Sequence, residues 1–248
     1  MKTAIRLVSI ASVILALAPF ARATVTETFK QTYPLAADGV VSVENVNGSV
    51  EITAWDRPEV ALEAVKSAPD DEDLKRIHVV IEAAPSRLSI KTQYEKKHSF
   101  FGDSRGDVAY KLMIPAGASL KGVDVVNCDV IVRGVKGATD LHSVNGKIDA
   151  TGLAAAGKLS TVNGSIVAQF DRVADKISLE SVNGSCRLEV PKDAGFELRA
   201  SSVNGSTSCS LPVTLEKSGH HNLRGTVGAG GPEVSLESVN GSLEVKAK

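Results

Sequence analysis

The sequence predicts an all-β protein of the parallel β-solenoid class, and three observations support this prediction. First, the phrase Ser-Val-Asn-Gly-Ser returns with small changes along most of the chain. Second, from Asn127 onward the asparagines of these copies are separated by 18, 18, 20, 21 and 36 residues, and a period of about twenty is typical of stacked repeats. Third, small and β-branched aliphatic residues are abundant whereas aromatic residues make up 4%, a composition that suits a strand-built core.

The first 23 residues have the features of a secretory signal peptide. Lys2 and Arg6 precede an apolar run from Leu7 to about Ala18, and Ala21-Arg22-Ala23 supplies a small-x-small cleavage site. A run of about a dozen residues is shorter than a membrane-spanning helix requires. We therefore expect cleavage after Ala23 and a periplasmic, secreted or cell-surface protein whose mature chain has no transmembrane segment.

The charge of the mature chain argues against a nucleic-acid partner. Residues 1–23 hold three of the 28 basic residues and none of the 29 acidic ones, so 25 minus 29 leaves a net charge of −4. Nucleic-acid binding needs a basic field and stacking surfaces, and this composition provides neither.

Residues 24–248 are expected to form one solenoid domain that begins with strands and a first coil over residues 24–56. Alternating residues lead into and out of the Asn47-Gly48 corner, which is a strand, corner, strand pattern. Residues 57–114 then depart from the repeat. They predict a strand over 60–68, a short helix within 69–76 that has acids first and bases last, and strands over 78–83, 87–94 and 107–114. We interpret this stretch as an inserted antiparallel β-meander that caps one end.

Residues 115–248 are expected to be repeated coils, because aligning them on each asparagine gives regular columns. The columns four before, three after and five after the asparagine are small or aliphatic, as in Leu141, Ile148 and Ala150, and should face the core. The intervening columns should face solvent. The chain from Leu243 to Lys248 should form the last coil, blunted by charged side chains. Asn222 lies midway in the 36-residue interval between Asn204 and Asn240. This spacing suggests a degenerate coil with a bulging loop.

The repeated corner predicts a ladder of stacked asparagines that hydrogen-bond from coil to coil. Asn-Gly tolerates the left-handed backbone of tight corners, so Cys128, which replaces one glycine, predicts a corner that is strained or differently shaped. The corner role also accounts for the Asn-Gly-Ser triplets that formally match a glycosylation signal. The ladder asparagines are Asn47, Asn127, Asn145, Asn163, Asn183, Asn204 and Asn240.

The three cysteines, Cys128, Cys186 and Cys209, leave at least one thiol unpaired within a monomer. Cys186 and Cys209 occupy inward positions on coils that are neighbours in the sequence, at offsets that allow a disulfide only if the coils shift. We favour their role as small apolar core residues.

Site chemistry is sparse. Asp124, His142 and Ser160 would stack in the order of a catalytic relay, but their column continues with residues typical of a solvated strand face. The acids Asp149, Glu180, Glu189, Glu237 and Glu244 are scattered, although a glycoside-cleaving site needs convergent carboxylates. His220-His221 lacks further metal ligands, so we interpret the pair as loop residues. The sequence therefore predicts no catalytic, metal or cofactor site. Candidate contact loops contain Phe100, Phe101, His220 and His221.

The ordered motifs Val50–Asp56, Leu112–Pro115 and Leu236–Ser242, together with the repeat, resemble the bacterial putative-adhesin family of secreted β-solenoid proteins. The resemblance covers nearly all of the mature chain. It implies a parallel, right-handed solenoid in the cell envelope and transfers no catalytic or ligand-binding residue.

The expected function is that of an exported, non-enzymatic, adhesin-like structural or binding module for an envelope surface, glycan or protein partner. Two alternatives stay open, a carbohydrate-active β-helix enzyme and an envelope-stress or regulatory binding protein that uses the loop at 95–106. We expect a monomer with some edge association.

Overall fold

The computed structural model describes residues 24–95 and 106–248 of the 248-residue chain. Most of the described residues lie in β-strands. One short helix, α1 (Asp71–Lys75), follows the third strand. The strands, in chain order, are β1 (Val25–Pro34), β2 (Val40–Trp55), β3 (Glu59–Ala68), β4 (Ile77–Ala84), β5 (Arg87–Tyr94), β6 (Asp107–Pro115), β7 (Ser119–Arg133), β8 (Thr139–Asn145), β9 (Ile148–Leu153), β10 (Gly157–Asn163), β11 (Ile166–Phe170), β12 (Ile177–Asn183), β13 (Cys186–Val190), β14 (Phe196–Asn204), β15 (Thr207–Cys209), β16 (Val213–Ser218), β17 (Asn222–Val227), β18 (Glu233–Asn240) and β19 (Leu243–Ala247).

The repeated phrase generates seven rungs, each named here by its asparagine. A rung has a first strand that ends at the asparagine and a second strand that follows the corner. In the Asn47 and Asn127 rungs one long strand, β2 or β7, covers both halves, and the other rungs use the pairs β8–β9, β10–β11, β12–β13, β14–β15 and β18–β19. Equivalent strands pair in parallel, with asparagine beside asparagine. This confirms the predicted parallel β-solenoid.

The order of the rungs in the stack differs from their order in the chain. The Asn240 rung is inserted between the Asn183 rung and the Asn204 rung, and it pairs with both. The prediction that the chain from Leu243 to Lys248 forms the last coil is therefore wrong. The Asn47 rung is likewise internal, since β2 lies between β7 on one side and β5 and β6 on the other.

The N-terminal cap combines parallel and antiparallel pairing. Strands β5 and β6 run parallel to β2 and form a further rung, whereas β4 runs antiparallel to β5 and β3 runs antiparallel to β6. Strand β1 pairs antiparallel with β3. The predicted strands and helix are all present, and Asp70 caps α1 by accepting a hydrogen bond from the Asp73 amide at 2.8 Å. The meander interpretation needs one correction, because β5 and β6 do not pair with each other but continue the stack.

The C-terminal cap is an antiparallel hairpin rather than a coil. Strand β17 begins at Asn222 and runs antiparallel to both β14 and β16. The prediction of a degenerate coil around Asn222 is therefore wrong. Its 18-residue spacing coincides with the repeat, but the chain direction is reversed.

The predicted inward columns form one continuous apolar core. Only Thr207 and Cys209 in these columns are half-buried, because their strand, β15, has a neighbour on one side only. The cysteines are free thiols. Cys186 pairs with Leu243 and Cys209 with Val245, so the Asn240 rung separates the two cysteines that were expected on neighbouring coils. Within residues 24–95 and 106–248, no helix has the length and apolar character needed to cross a bilayer.

Candidate functional site

The asparagine side chains form a hydrogen-bonded ladder on the outside of the stack. Each side-chain amide donates to the Oδ1 atom of the asparagine one rung nearer the N-terminal cap, at 2.7–2.9 Å. The ladder follows the stack order and passes through Asn240 before it reaches Asn204. At its other end Asn47 Nδ2 donates to the Gly106 carbonyl at 3.4 Å. Stacked amides satisfy one another and so fix the register of the rungs.

In five of the seven rungs a second row of side chains lies inside the corner, two residues before the asparagine. The hydroxyl groups of this row donate to the corner carbonyl of the adjacent rung at 2.8–3.2 Å, and their side chains are buried or nearly so. Buried polar groups must be hydrogen-bonded, and here the hydroxyl group and the corner carbonyl satisfy each other. The row contains Ser143, Thr161, Ser181, Ser202 and Ser238.

The corner glycines are required by close packing rather than by a left-handed backbone. Of the glycines that follow the ladder asparagines, only Gly48 has a positive φ, at 124°. In the other five, an added Cβ would lie 1.8–2.1 Å from the corner carbonyl oxygen of the adjacent rung. The expected strain at Cys128 is also absent, because no residue other than glycine has a positive φ in the described chain. Strand β7 simply continues through this corner.

The valine of the repeated phrase points outward in every rung. Five of these valines are 36–64% exposed, and the other two, Val144 and Val162, are half-buried. In-register stacking places them side by side at intervals of about 4.8 Å. We call this row the valine face; in stack order it contains Val46, Val126, Val144, Val162, Val182, Val239 and Val203.

A row of polar side chains runs parallel to the valine face, two residues earlier in each strand. A groove of about 500 Å³ lies between the two rows where they cross the Asn145 to Asn204 rungs. One wall of the groove carries apolar methyl groups and the other carries hydroxyl, imidazole and carboxylate groups. We call the second row the polar row; in stack order it contains Glu44, Asp124, His142, Ser160, Glu180, Glu237 and Ser201.

Two carboxylates of the polar row are direct neighbours without a balancing cation. Glu180 and Glu237 are in register on adjacent parallel strands, and both are exposed. Glu180 accepts a hydrogen bond from Ser178, but among the described residues neither glutamate forms an ion pair. The basic side chains of Lys176 and Arg199 pair instead with Glu233. Like charges on adjacent strands repel, so a cationic group of a partner would relieve the repulsion between these two carboxylates.

The sequence-derived relay is only half formed. His142 Nδ1 lies 2.8 Å from Ser160 Oγ, and Asp124 is in register with His142 on the next rung. No hydrogen bond joins the Asp124 carboxylate to the imidazole within the described chain. A working triad needs that bond to orient the histidine, and no second carboxylate faces Glu180 across the groove. The arrangement gives the polar row hydrogen-bonding capacity rather than an assembled nucleophile.

A second groove, of about 600 Å³, lies over the outer face of β1, β3, β6 and β2. Its charges are largely balanced within the protein. Lys30 forms an ion pair with Glu63 at 3.1 Å, and Lys111 is in register with both Glu51 and Glu63. This groove therefore presents less unbalanced charge to a partner than the groove beside the valine face.

The predicted contact residues His220 and His221 do not line that groove. His220 and His221 lie between β16 and β17, where His221 Nδ1 is 2.6 Å from the Gly205 carbonyl oxygen and the two rings meet edge to face. Phe100 and Phe101 lie outside the described residues. No cluster of three or more histidine, cysteine or acidic residues that could hold a metal ion occurs in the part of the chain that the structure describes. The contact role of these loops stays a prediction.

Sequence reasoning identified the polar row but missed the valine face. The repeated phrase already indicated this surface. Side chains alternate along a strand, so if the residue four before the asparagine faces inward, the hydroxyl residue two before the asparagine also faces inward and the valine directly before the asparagine faces outward. The buried serine and exposed valine invert the usual preference of these residue types, which is what makes the surface unusual.

These rows of surface side chains on stacked parallel strands define a β-solenoid with a repetitive exterior and a closed apolar core. The chain belongs to the Toastrack family, DUF4097, whose profile matches residues 39–246. The family resemblance of the sequence is thereby confirmed.

Solved structures with a similar fold include a putative cell adhesion protein from Clostridium sporogenes ATCC 15579. It is 11% identical and aligns over 90% of this chain and 100% of its own, with a TM-score of 0.52. A putative adhesin from Parabacteroides distasonis ATCC 8503 is 12% identical over 90% of this chain and 97% of its own, with a TM-score of 0.37. At these identities the likeness of the first structure concerns the fold alone. No curated protein matches the sequence.

Proposed function

We propose that this protein is a non-enzymatic binding module, exported to the cell envelope, that holds a polypeptide partner along the valine face. One observation carries the proposal. Seven valines from seven rungs form a continuous outward row beside an acidic and hydroxyl row. Contiguous apolar patches with polar rims mark interaction sites, whereas singly exposed valines need no explanation.

The scaffold suits binding because it is stiff. The asparagine ladder and the inner hydroxyl row bond each rung to the next, so the two surface rows keep a fixed spacing. A preorganised surface loses little conformational entropy when a partner docks. The adhesion-related description of the Clostridium sporogenes structure agrees with such a role.

The composition of the groove favours a partner with aliphatic and cationic side chains. The valine wall can bury aliphatic groups, while Glu180 and Glu237 attract a lysine or arginine side chain. Among the described residues, no Phe, Tyr or Trp side chain lines the groove, so these residues offer a sugar ring no large flat surface on which to stack. A protein partner is therefore favoured over a glycan.

Catalysis is less well supported by the same geometry. Glycoside hydrolysis by two carboxylates requires them to flank the scissile bond, but Glu180 and Glu237 stand on one wall and valines form the other. The groove thus offers contact area and charge without opposed reactive groups.

Selection of binders from a random peptide library on the immobilised protein tests the proposal. We expect enriched peptides to combine lysine or arginine with aliphatic residues, and their binding to weaken with added salt. The double substitution Val182→Ser with Val239→Ser should weaken binding at least about tenfold, because it removes apolar contacts at the centre of the face.

The matched control is Val167→Ser, which changes a half-buried outward valine on the second-strand side of the stack and should leave binding unchanged. Equal binding by the double variant and the parent would contradict the proposed face. Turnover of a polysaccharide from a parallel glycan panel would replace the proposal with the carbohydrate-active alternative.

A further inference from the structure

The Asn240 rung occupies a slot that the rest of the chain builds. Strand β18 pairs with β12 on one side and β14 on the other, and β19 pairs with β13 and β15. Its apolar side chains, Val234, Leu236, Leu243 and Val245, are at most 1% exposed. Residues 233–248 therefore act as an insert held by four strands from an earlier part of the sequence.

The segment that leads into the slot is a glycine-rich hinge, Gly228-Ala229-Gly230-Gly231-Pro232. It crosses the start of β14, connecting Val227, which pairs with Phe196, to Glu233, which pairs with Glu197. Gly228, Gly230 and Gly231 all have positive φ values, a conformation that glycine adopts at little steric cost. Five residues can extend to about 17 Å, so the same hinge can also reach away from its own stack.

We propose that two copies of this protein exchange residues 233–248, each inserting its Asn240 rung into the slot of the other. The partner is a second copy because its residues 233–248 restore every contact of the slot: the asparagine, hydroxyl and glycine positions of the insert are in register with those of both neighbours. The exchanged and the self-inserted forms contain the same rung contacts. They differ in the hinge and in the entropy of association, which is why exchange of an identical element is a low-cost route to dimers.

Exchange requires the slot to be open, so it should occur during folding rather than between folded monomers. Refolding from denaturant over a range of protein concentrations should yield monomer and dimer. While monomer predominates, the ratio of dimer to monomer should rise about tenfold for each tenfold rise in protein concentration, by mass action. Deletion of Gly230 and Gly231 should increase the dimer further, since a hinge too short to cross β14 disfavours self-insertion.

A disulfide identifies which chain supplies the insert. Val182 and Val239 are outward neighbours on adjacent rungs, so the variant V182C/V239C can be oxidised after monomer and dimer have been separated by size. We expect covalent dimers on a non-reducing gel from the dimer fraction and covalent monomers from the monomer fraction.

A dimer whose disulfides all lie within single chains would overturn the proposal and point instead to edge association, for example along β1. A protein that stays monomeric at millimolar refolding concentrations, even with the shortened hinge, would overturn it as well. The outcome does not depend on the peptide-binding role of the valine face, because the readout uses only the protein itself.

Discussion

Removal of residues 233–248 is expected to abolish the cooperative fold. The truncation takes out an internal rung, leaves β12, β13, β14 and β15 without their shared neighbours, and exposes the core that Leu236 and Leu243 cover. Full burial of an aliphatic side chain contributes about 1.5–3 kcal/mol, so four lost side chains rival the total stability of a typical domain, about 5–15 kcal/mol. Thermal unfolding followed by circular dichroism should show no sharp transition.

Deletion of β1 provides the control, since this ten-residue strand has a neighbour on one side only. That variant should keep a cooperative transition at a somewhat lower temperature. If the chain that ends at Pro232 melted as sharply as the parent and within a few degrees of it, the Asn240 rung could not lie inside the stack.

Gly184→Ala is expected to destabilise the protein by about 3 kcal/mol, the upper end of typical overpacking costs. The added Cβ would lie 1.8 Å from the Gly164 carbonyl oxygen. That oxygen belongs to the backbone and also accepts the hydrogen bond from Ser181, so it cannot move aside without breaking this bond between the rungs. The measurement is the shift in the denaturant midpoint at unchanged m-value.

Gly219→Ala is the matched control. Gly219 lies in the exposed turn between β16 and β17, its φ is not positive, and the nearest atom to an added Cβ is 3.9 Å away. Its substitution should change stability by less than about 0.5 kcal/mol. Equal effects of the two substitutions would contradict the close contact that Gly184 makes with the adjacent rung.

The period of the sequence predicted the solenoid and most of its core because alternation in strands is a local property. Leu141, Ile148 and Ala150 are buried as their columns required. The short helix was predictable for the same reason, since Asp70 and the acids that follow it favour a helix start without help from the rest of the fold.

The order of the rungs was not predictable from the repeat. Every copy of the phrase fits against every other copy, so the repeat cannot determine whether the Asn183 rung meets the Asn204 rung or the Asn240 rung. That choice is made by non-local pairing: β17 turns back antiparallel along β14, and the hinge after Val227 then places β18 on the other side of β14. The expected proximity of Cys186 and Cys209 depended on this order and was wrong for that reason.

The valine face was missed for a different reason. Valine favours strands and is usually assigned to the core, whereas Ser181 and its equivalents are of a residue type usually assigned to the surface. Both assignments are reversed at the corner. Adjacent rungs pack closely there, and the buried backbone carbonyl between them needs a hydroxyl donor, which Ser181 supplies from an inward position.

Residues 233–248 complete the valine face between the Asn183 and Asn204 rungs, and disulfide trapping in the monomer gives the sharpest test of this position. Adjacent rungs place Val182 beside Val239 at about 4.8 Å, within the Cα separation that a disulfide allows, whereas Val182 and Val203 are two rungs apart. We predict that V182C/V239C closes under mild oxidation and that V182C/V203C does not, with the bonds mapped by mass spectrometry. Closure of V182C/V203C without closure of V182C/V239C would show that the rungs stack in chain order and that residues 233–248 do not lie inside the stack.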